Sequence, residues 1–427
     1  MKVAVIGSGI SGLSAAYAMR TTHDVHVFES EGRPGGHAHT VTIHEGNRDV
    51  AVDTGFIVYN EATYPGFTSL LAELDVPTIA TEMSFGMSCA THNLEYSSRG
   101  LAGMFAQPRA MATPSRAKMI WEIRRFYREA TALLNSGPEE ITSLGEFLDL
   151  GCFGEEFRRH FLSPLVGAIW STPATGIPDY PARYLFEFLH NHGLLGTTGR
   201  LEWRTVVGGS KAYVDRLLGR LPNGVRLNSP VQAIHRDIDG VSVIPWSGNP
   251  ERFDHVVFAT HADQSLRLLR DHTLLERQAL SSLVYEPSRV VLHSDEVVMP
   301  RRRRAWAGWN YSATSCMADA GPVSISYHMN RLQKLDAVHD YFVSVNPSVD
   351  LAAERIIAEF DYAHPQYSVL TQQAQEILRS INGANRTHFA GAFLGHGFHE
   401  DGFKAGLDVA LQLQGVGLTV KPSEVAA

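Results

Sequence analysis

The chain has 427 residues and a formal net charge of -8; 44% of its residues are hydrophobic and 19% are charged. This length allows two domains, or one domain with a large insertion. The acidic balance gives no support to nucleic-acid binding, which usually needs a basic face. No apolar run reaches the roughly 18 residues of a membrane span.

Three cysteines and the position of the first strand bear on localisation. Cys89, Cys152 and Cys316 are isolated and odd in number, which fits a reducing cytoplasm and excludes a CxxC metal or redox site. The chain begins with its first predicted strand, so cleavage of a signal peptide would destroy the glycine turn that follows. We therefore expect a cytoplasmic protein.

The first 36 residues predict a βαβ unit that holds a dinucleotide. The sequence KVAVIG at 2–7 predicts a buried strand, GSGISG at 7–12 a turn, and residues 13–20 a helix. A second predicted strand at 24–28 ends on Glu29, about 20 positions beyond the turn, as the dinucleotide fingerprint requires.

Each glycine of the turn has a predicted task. Gly7 permits the tight turn, Gly9 lets the backbone approach a pyrophosphate, and Gly12 lets the helix pack close to the strand. The helix start presents free amides to the phosphates. Glu29 is placed to bind ribose hydroxyls, and its charge disfavours NADP. The predicted cofactor-binding residues of this unit are Gly7, Gly9, Ile10, Ser11, Gly12, Glu29 and Ser30.

A glycine-rich loop extends the predicted site. The sequence SEGRPGGH at 30–37 is too rich in glycine to start a crossover helix at once, and small residues let backbone run beside a large planar ligand. We predict that Arg33, Gly35, Gly36 and His37 contact the cofactor. The fingerprint itself leaves NAD and FAD open.

The rest of the chain predicts a largely helical insertion, then short strands. In chain order the predicted elements are a strand at 50–58, a helix at 64–74, a hairpin at 83–96, helices at 104–134, 144–150, 155–170, 181–190 and 211–221, strands at 225–228, 231–234, 241–244 and 253–260, aromatic strands over 285–331, a helix at 350–360, a strand at 387–393, a loop at 394–400 and a helix at 402–413.

These segments predict two discontinuous domains. Residues 1–80, 205–265 and 385–420 form the predicted nucleotide-binding domain. Residues 81–204 and 266–384 form a predicted substrate-binding domain with a helical insertion. The strand VVFAT ends in Ala259 and Thr260, small residues that let backbone lie beside the nucleotide.

The order of these motifs resembles that of the flavin-dependent amine oxidase and phytoene desaturase superfamily over most of the chain. The shared motifs are GSGISG, Glu29, GRPGG at 32–36, GGS at 208–210, VVFAT at 256–260, FAGAF at 389–393 and DGFKAG at 401–406. The resemblance implies FAD as cofactor. It also implies an α/β fold in which a Rossmann-type FAD-binding domain (GR2, amine oxidase-like) carries an inserted substrate domain of mixed sheet and helices.

The resemblance places further residues at the cofactor. They are Val231 at the adenine end, Thr260 and Gly391 along the site, and Asp401, Gly402 and Phe403 at the start of the last helix. That helix is implied to point its amides at the flavin pyrimidine, where a helix N-terminus stabilises the negative charge of reduced flavin.

A narrower resemblance concerns the substrate. The stretches GGHAHTV, VDTGFIVYN, RRRRAWAGWNY and GHGFHEDG resemble a bacterial subgroup of predicted NAD/FAD-binding oxidoreductases. That subgroup is similar to enzymes that work on fatty acyl chains beside cyclopropane-fatty-acid-synthase-like methyltransferases, including desaturases of methyl-branched chains. It implies a lipid or fatty acyl substrate and a methyltransferase partner.

Two residues at the last helix are candidate catalytic groups. In amine oxidases an aromatic residue two positions before the terminal acid-glycine pair helps to cage the amine, and here that position is His399. A histidine can exchange a proton near neutral pH, and Glu400 beside it can tune its charge. The alternative is that His399 and Glu400 only cap the helix.

Other residues are predicted to meet the substrate or a membrane. The candidates for substrate contact are His39, Trp306, Trp309, Tyr311 and Tyr327. Arg301 to Arg304 beside these indoles could rest on an anionic membrane, or form a solvated edge, or pair with the protein's own carboxylates. No histidine pattern has metal-ligand spacing such as HExxH, so no metal is predicted.

The leading functional hypothesis is an FAD-dependent desaturase of unsaturated or methyl-branched acyl chains, with His399 as the base. The alternatives are a flavin amine oxidase, a redox-neutral double-bond isomerase, and a flavin-binding partner subunit without activity of its own. The expected location is cytoplasmic, with peripheral contact at the inner face of the membrane.

Overall fold

A computed structural model describes residues 1–111, 113–136, 143–170, 174–196, 201–313 and 323–415. Its strands are β1 (Lys2–Ile6), β2 (Asp24–Phe28), β3 (Thr40–Glu45), β4 (Arg48–Asp53), β5 (Tyr59–Asn60), β6 (Thr78–Thr81), β7 (Phe85–Cys89), β8 (Leu94–Ser97), β9 (Trp203–Val206), β10 (Val225–Arg226), β11 (Val231–Asp237), β12 (Gly240–Pro245), β13 (Glu251–Phe253), β14 (His255–Phe258), β15 (Tyr285–His293), β16 (Trp309–Ala313), β17 (Ser324–His328), β18 (Phe342–Val345), β19 (Ile356–Pro365) and β20 (Thr387–Phe389).

The helices lie between these strands, and α3 to α9 follow one another without a described strand between them. They are α1 (Ile10–Met19), α2 (Pro65–Glu73), α3 (Gly100–Met104), α4 (Pro108–Met111), α5 (Pro114–Asn135), α6 (Leu144–Leu150), α7 (Glu155–Phe157), α8 (Ser163–Trp170), α9 (Ala182–Asn191), α10 (Lys211–Leu218), α11 (Ala262–Leu268), α12 (Leu274–Ser281), α13 (Met329–Leu332), α14 (Val369–Ile381) and α15 (His399–Leu413).

A parallel five-stranded sheet carries the predicted nucleotide site. Its order is β10-β2-β1-β14-β20, with Val3 paired to His255 and Val256 paired to Thr387. β1 and β14 are nearly continuous apolar runs, as is usual where both faces of a parallel sheet are covered. Strands from the start, middle and end of the chain thus meet in one sheet. The predicted Rossmann-type α/β fold is confirmed, while the domain boundaries stay a prediction.

A second, mixed sheet of seven strands has the order β19-β15-β18-β17-β16-β7-β8. Trp309 pairs with Phe85 on one side and with Tyr327 on the other, so the three side chains share one face. Ala168 of α8 packs against this face. The sheet and the helices α5 to α9 therefore form the walls of the predicted substrate region.

The helix predicted at 350–360 is wrong. The chain makes only a short 3-10 turn at Ala353–Arg355 and then enters β19. Residues 350–355 (DLAAER) are favourable for a helix, but Ile356, Ala358 and Phe360 alternate with more exposed positions along a strand. Pairing of β19 with β15 along nearly its whole length outweighs the local propensity.

Several predicted boundaries also shift. The strand predicted at 50–58 ends at Asp53, and the strand predicted at 387–393 ends at Phe389. The last helix begins at His399, which places His399 and Glu400 in its first turn and not in a loop. Residues 416–420 of the predicted nucleotide-binding domain lie outside the described residues.

The cysteine prediction needs one correction. Cys152 is free and exposed, whereas Cys89 is disulfide-bonded and so is not isolated. Cys316 lies outside the described residues. Among the helices that the structure describes, none is both long enough and apolar enough to span a lipid bilayer.

Candidate flavin and substrate site

The turn between β1 and α1 has the geometry of a phosphate loop. Gly7 adopts φ +101°, and a Cβ on it would lie 2.7 Å from the carbonyl oxygen of Ala259. A Cβ on Gly12 would lie 2.0 Å from the Gly7 oxygen, whereas one on Gly9 would meet nothing within 4 Å. Gly7 and Gly12 thus close the turn, and Gly9 leaves backbone open to a ligand.

The second glycine pair lies against this turn. Gly35 and Gly36 have φ of +103° and +57°, and a Cβ on Gly36 would lie 3.0 Å from the Gly9 Cα. The Arg33 guanidinium donates a hydrogen bond to the Gly36 oxygen at 2.7 Å. The two glycine segments therefore form one cradle, as the sequence predicts.

Glu29 is held at the end of β2 by nearby donors. Its Oε2 accepts hydrogen bonds from the Ser8 amide at 2.9 Å and the Ser8 hydroxyl at 2.5 Å. Its Oε1 accepts from the Glu31 amide at 3.0 Å and the Ser30 hydroxyl at 3.3 Å. The carboxylate is thus fixed beside the phosphate loop, where a ribose would lie.

The starts of α1 and α15 lie side by side. A Cβ on Gly402 would lie 2.8 Å from Ile10 and 2.9 Å from the Ser11 hydroxyl. The Phe403 oxygen accepts a hydrogen bond from the Ser14 hydroxyl at 3.1 Å. Helix N-termini favour negative charge. The N-termini of α1 and α15 can therefore both stabilise negative charge in the region beside them.

Asp401 organises the loop that enters α15. Its Oδ2 accepts hydrogen bonds from the amides of His396 and Phe398 at 3.0 and 2.9 Å. Burial raises the pKa of Asp401 to about 6. This carboxylate caps its own helix and fixes residues 395–398, so its contacts are with backbone.

His399 is packed as a core residue. Its ring stacks on Phe56 with centroids 3.8 Å apart and an interplanar angle of 10°. The Tyr213 hydroxyl lies 2.8 Å from Nε2; burial holds the pKa of Tyr213 well above its usual value, so the hydroxyl is the donor. Burial also lowers the pKa of His399 to about 3. The lone pair on Nε2 of His399 therefore already accepts the hydrogen bond from Tyr213.

Glu400 caps a different helix. Its two carboxylate oxygens accept hydrogen bonds from the amides of Gly66 and Phe67, at 2.9 and 2.8 Å, in the first turn of α2. Lys404 lies 3.5 Å away. The helix-capping alternative thus describes Glu400 better than a catalytic role, although the helix is α2 and not α15.

Four neutral histidines lie near the glycine cradle. The ring centroid of His37 lies 6.2 Å from that of His261 and 5.8 Å from that of His364. His39 Nδ1 lies 2.9 Å from the Tyr362 hydroxyl. Burial lowers the pKa of His37 to about 3 and those of His39 and His364 to about 4. His37 Nε2 and His364 Nδ1 are buried and have no hydrogen-bond partner within the part of the chain that the structure describes, which fits a site for a polar ligand.

A packed cluster of aromatic side chains, which we call the aromatic chamber, lies next to the 395–398 loop. We define it by the side chains of Trp170, Tyr180, Tyr184, Phe188, Tyr367, His396 and Phe398. Tyr184 lies 4.0 Å from His396, and Phe398 stacks on Phe188 at 4.5 Å, centroid to centroid. The hydroxyls of Tyr180 and Tyr367 and Nδ1 of His396 are buried and find no hydrogen-bond partner among residues 1–111, 113–136, 143–170, 174–196, 201–313 and 323–415.

Sequence reasoning missed this chamber. Tyr184 and Phe188 are four residues apart on α9, the spacing of one helix face, and that pattern was the available signal. Nothing local brings them to His396, more than 200 positions later. Only the tertiary fold makes the contact.

Residues 10–302 match the family described as flavin containing amine oxidoreductase. The chain belongs to this family. FAD is therefore its cofactor and, when bound, supplies a two-electron acceptor; the cradle at Gly9 and Gly36, the carboxylate of Glu29 and the start of α15 fit it.

Solved structures share the fold of this flavoprotein. They include the CLA-producing fatty acid isomerase from P. acnes (16% identity, TM-score 0.69, 96% of this chain and 98% of that chain). Wild-type putrescine oxidase bound to putrescine (15%, 0.71, 97% and 99%) and the cyclohexylamine oxidase from Brevibacterium oxydans IH-35A (16%, 0.69, 97% and 99%) also match. At these identities the likeness shows the fold alone. No curated protein matches the chain.

The remaining predicted cofactor residues lie on two sheets: Val231 belongs to the three-stranded sheet β11-β12-β13, and Thr260 and Gly391 follow strands of the parallel sheet. Val231 begins β11 and packs against the core beneath the parallel sheet. The Thr260 hydroxyl lies 2.9 Å from that of Ser265. Gly391 follows β20, and a Cβ on it would lie 2.2 Å from the Phe393 ring. Their contacts with FAD stay predictions.

The predicted substrate residues do not form one group. Trp306 is buried, with its Nε1 donating to the Pro300 oxygen at 2.7 Å, and its contact with the substrate stays a prediction. Trp309, Tyr311 and Tyr327 share the inner face of the seven-stranded sheet. Trp309 Nε1 is buried and has no hydrogen-bond partner among the residues that the structure describes.

The arginine run is partly paired with carboxylates. Arg302 lies 3.1 Å from Glu95, and Arg303 lies 2.9 Å from Glu296. Arg301 and Arg304 are exposed. Two of the four charges are thus used within the protein, and membrane contact stays a proposal.

One group of residues that the structure describes could in principle hold a metal ion. The ligand atoms of Cys89, His92 and His160 lie within 4.8 Å of one another. Because Cys89 is disulfide-bonded, it offers no thiolate. The expectation of no metal stays a prediction.

Proposed function

We propose that this flavoprotein dehydrogenates unsaturated or methyl-branched fatty acyl chains. The observation that carries the proposal is the closed packing of the aromatic residues that precede and begin α15. His399 lies against Phe56 at 3.8 Å, and Phe398 lies against Phe188 at 4.5 Å, centroid to centroid. These distances are those of rings in direct contact, so neither pair is an open cage that would hold an amine between two ring faces.

The charges around the chamber support the same choice. The nearest carboxylates at the start of α15, Glu400 and Asp401, are both occupied by backbone amides. The chamber itself is built from aromatic rings and neutral histidine. Such a lining offers apolar surface to an acyl chain.

The solved structures of the same fold include proteins named for fatty acid and for amine substrates. One of them is named as a fatty acid isomerase and others as amine oxidases, so the shared fold does not decide between them. Contact with an anionic membrane at the cytoplasmic face and a methyltransferase partner belong to the same proposal. The membrane would supply the lipid that carries the acyl chain, and the methyltransferase would supply its methyl branch.

Anaerobic reduction of the holoenzyme tests the proposal. We expect unsaturated or methyl-branched acyl lipids to bleach the oxidised flavin absorbance, with a new double bond in the product. Putrescine and cyclohexylamine should leave the absorbance unchanged. Bleaching by an amine alone would overturn the proposal.

Two alternatives have their own outcomes in the same assay. A moved double bond without bleaching would identify an isomerase. Bleaching only after a methyltransferase is added would identify a subunit that needs its partner. The fatty acid profile of cells with and without the gene is the matching measurement in vivo.

A further inference from the structure

We propose that Nδ1 of His396 is the base that takes the proton from the acyl chain. This inference rests on the proposed dehydrogenation and identifies the residue that completes it. It differs from the prediction made from the sequence, which assigned the base to His399.

The backbone of His396 is fixed from both sides. Its amide donates to the Asp401 carboxylate at 3.0 Å, and its carbonyl accepts from Trp170 Nε1 at 3.0 Å. The neighbouring Gly397 has φ +90°, and a Cβ there would lie 2.5 Å from the Tyr367 hydroxyl. The loop therefore holds one conformation, and a base on it would be positioned before substrate arrives.

The imidazole of His396 lies among the rings of the chamber and has one nitrogen that makes no hydrogen bond to a described residue. Its ring lies 4.0 Å from that of Tyr184, at an angle of 34°. Nδ1 is buried and has no hydrogen-bond partner among the described residues. A buried nitrogen in this state is costly unless a ligand or a proton reaches it. Burial lowers the pKa of His396 to about 4, so the ring is neutral at pH 7 and has a lone pair to offer.

The other bases near the start of α15 are already engaged. His399 uses Nε2 with Tyr213, and His192 places Nδ1 2.9 Å from the Phe188 carbonyl oxygen. Glu400 and Asp401 accept backbone amides with their carboxylates. Among these groups at the start of α15, His396 is thus distinguished by its free nitrogen, not by its residue type.

The reaction balances with this base. One carbon of the acyl chain loses a hydride, which the cofactor accepts as two electrons and one hydrogen nucleus. The adjacent carbon loses a proton to Nδ1, and the electron pair of that C–H bond becomes the new π bond. The proton becomes acidic as the hydride leaves, so a weak neutral base is sufficient. The imidazolium formed is matched by the negative charge that the reduced cofactor gains.

The test compares three variants with the wild-type holoenzyme. His396→Gln should slow anaerobic flavin reduction by acyl substrate by about 10²- to 10⁴-fold, as expected for loss of a general base. His192→Gln is the matched control, because it is a half-buried histidine beside the same chamber with its Nδ1 bonded. It and His399→Gln should retain rates within about fivefold of wild type.

Chemical rescue separates a base from a structural residue. His396→Ala should bind FAD with an unchanged oxidised spectrum, and added imidazole should restore part of its reduction rate. A wild-type rate in His396→Gln, or a large loss confined to His399→Gln, would overturn the inference while the proposed function stands. If acyl lipids fail to reduce the wild-type enzyme, the proposed function fails first and the inference falls with it.

Discussion

Two adjacent carboxylates at the start of α15 have different structural partners. Asp401 binds the amides of its own helix entry, and Glu400 binds the amides of Gly66 and Phe67 in α2. Neither arrangement is visible in the sequence, where HEDG suggests only an acidic helix start. Within this one motif, Asp401 thus fixes the loop before α15, and Glu400 caps the N-terminus of α2.

Glu400→Gln should lower stability and leave the chemistry largely intact. An amide keeps only one acceptor and no charge for the two backbone donors of α2, so we expect a loss of about 1 to 2 kcal/mol in the free energy of unfolding. Urea unfolding measures it. Lys404→Met is the control, because its exposed ammonium adds little. Normal stability with abolished flavin reduction would instead restore the catalytic role predicted for Glu400.

Gly9→Ala separates cofactor binding from folding. Its Cβ would meet no protein atom within 4 Å, so the free energy of unfolding of the apoprotein should change by less than about 1 kcal/mol. The methyl group would occupy space where a pyrophosphate approaches, and FAD should bind about tenfold or more weakly. Fluorescence titration measures this affinity. Gly12→Ala, with a Cβ 2.0 Å from the Gly7 oxygen, should disrupt the fold itself.

At the scale of elements, the contact between α1 and α15 decides how closely the two helix starts approach the cofactor. A Cβ on Gly406 would lie 2.1 Å from the Ser14 hydroxyl and 2.2 Å from the Ser11 oxygen. Gly406→Ala should therefore push the helices apart, cost about 1 to 3 kcal/mol and weaken FAD binding. Thermal unfolding with and without FAD measures both effects. Asp408→Ala, an exposed change on the same helix, should alter neither, and an equal loss in both variants would contradict the helix-contact argument.

The elements also show what the sequence could predict. The βαβ opening and the flavin cradle were predictable because glycine turns and apolar runs act locally. The helix predicted at 350–360 failed because pairing with β15 lies far away in the chain. The burial of Trp306, whose Nε1 bonds to the Pro300 oxygen, could not be predicted from composition. His396 was missed because its proposed role depends on an Nδ1 atom that no described residue binds, and the sequence does not show which side chains surround it.

At the scale of the whole molecule, buried neutral histidines predict sensitivity to acid. Burial lowers the pKa values of His37, His39, His160, His192, His293, His364, His388, His396 and His399 to about 3 or 4. In the unfolded chain these groups take up protons below about pH 6.5. Their stabilisation is thus complete above that pH and is lost as the pH falls toward 4.

Two buried carboxyls act in the opposite direction. The pKa values of Asp53 and Asp401 are raised to about 6, so their contribution is lost as the pH rises from about 4 to 6. The histidines outnumber them, and we expect the urea midpoint of the holoenzyme to fall between about pH 7 and 5. A flat or rising midpoint would contradict this. His293→Gln, which removes one buried titrating group, should reduce the slope.

The order of the parallel sheet has a consequence for biosynthesis. β14 lies between β1 and β20, and Phe258 pairs with Phe389. On the ribosome, the edge of β14 stays unpaired until residue 389 has emerged. The first residues of α15 emerge only after β20. Long-range parallel pairing forms slowly and leaves exposed strand edges. FAD should therefore join the nascent protein late, and chains that terminate early should be captured by chaperones before any flavin can bind.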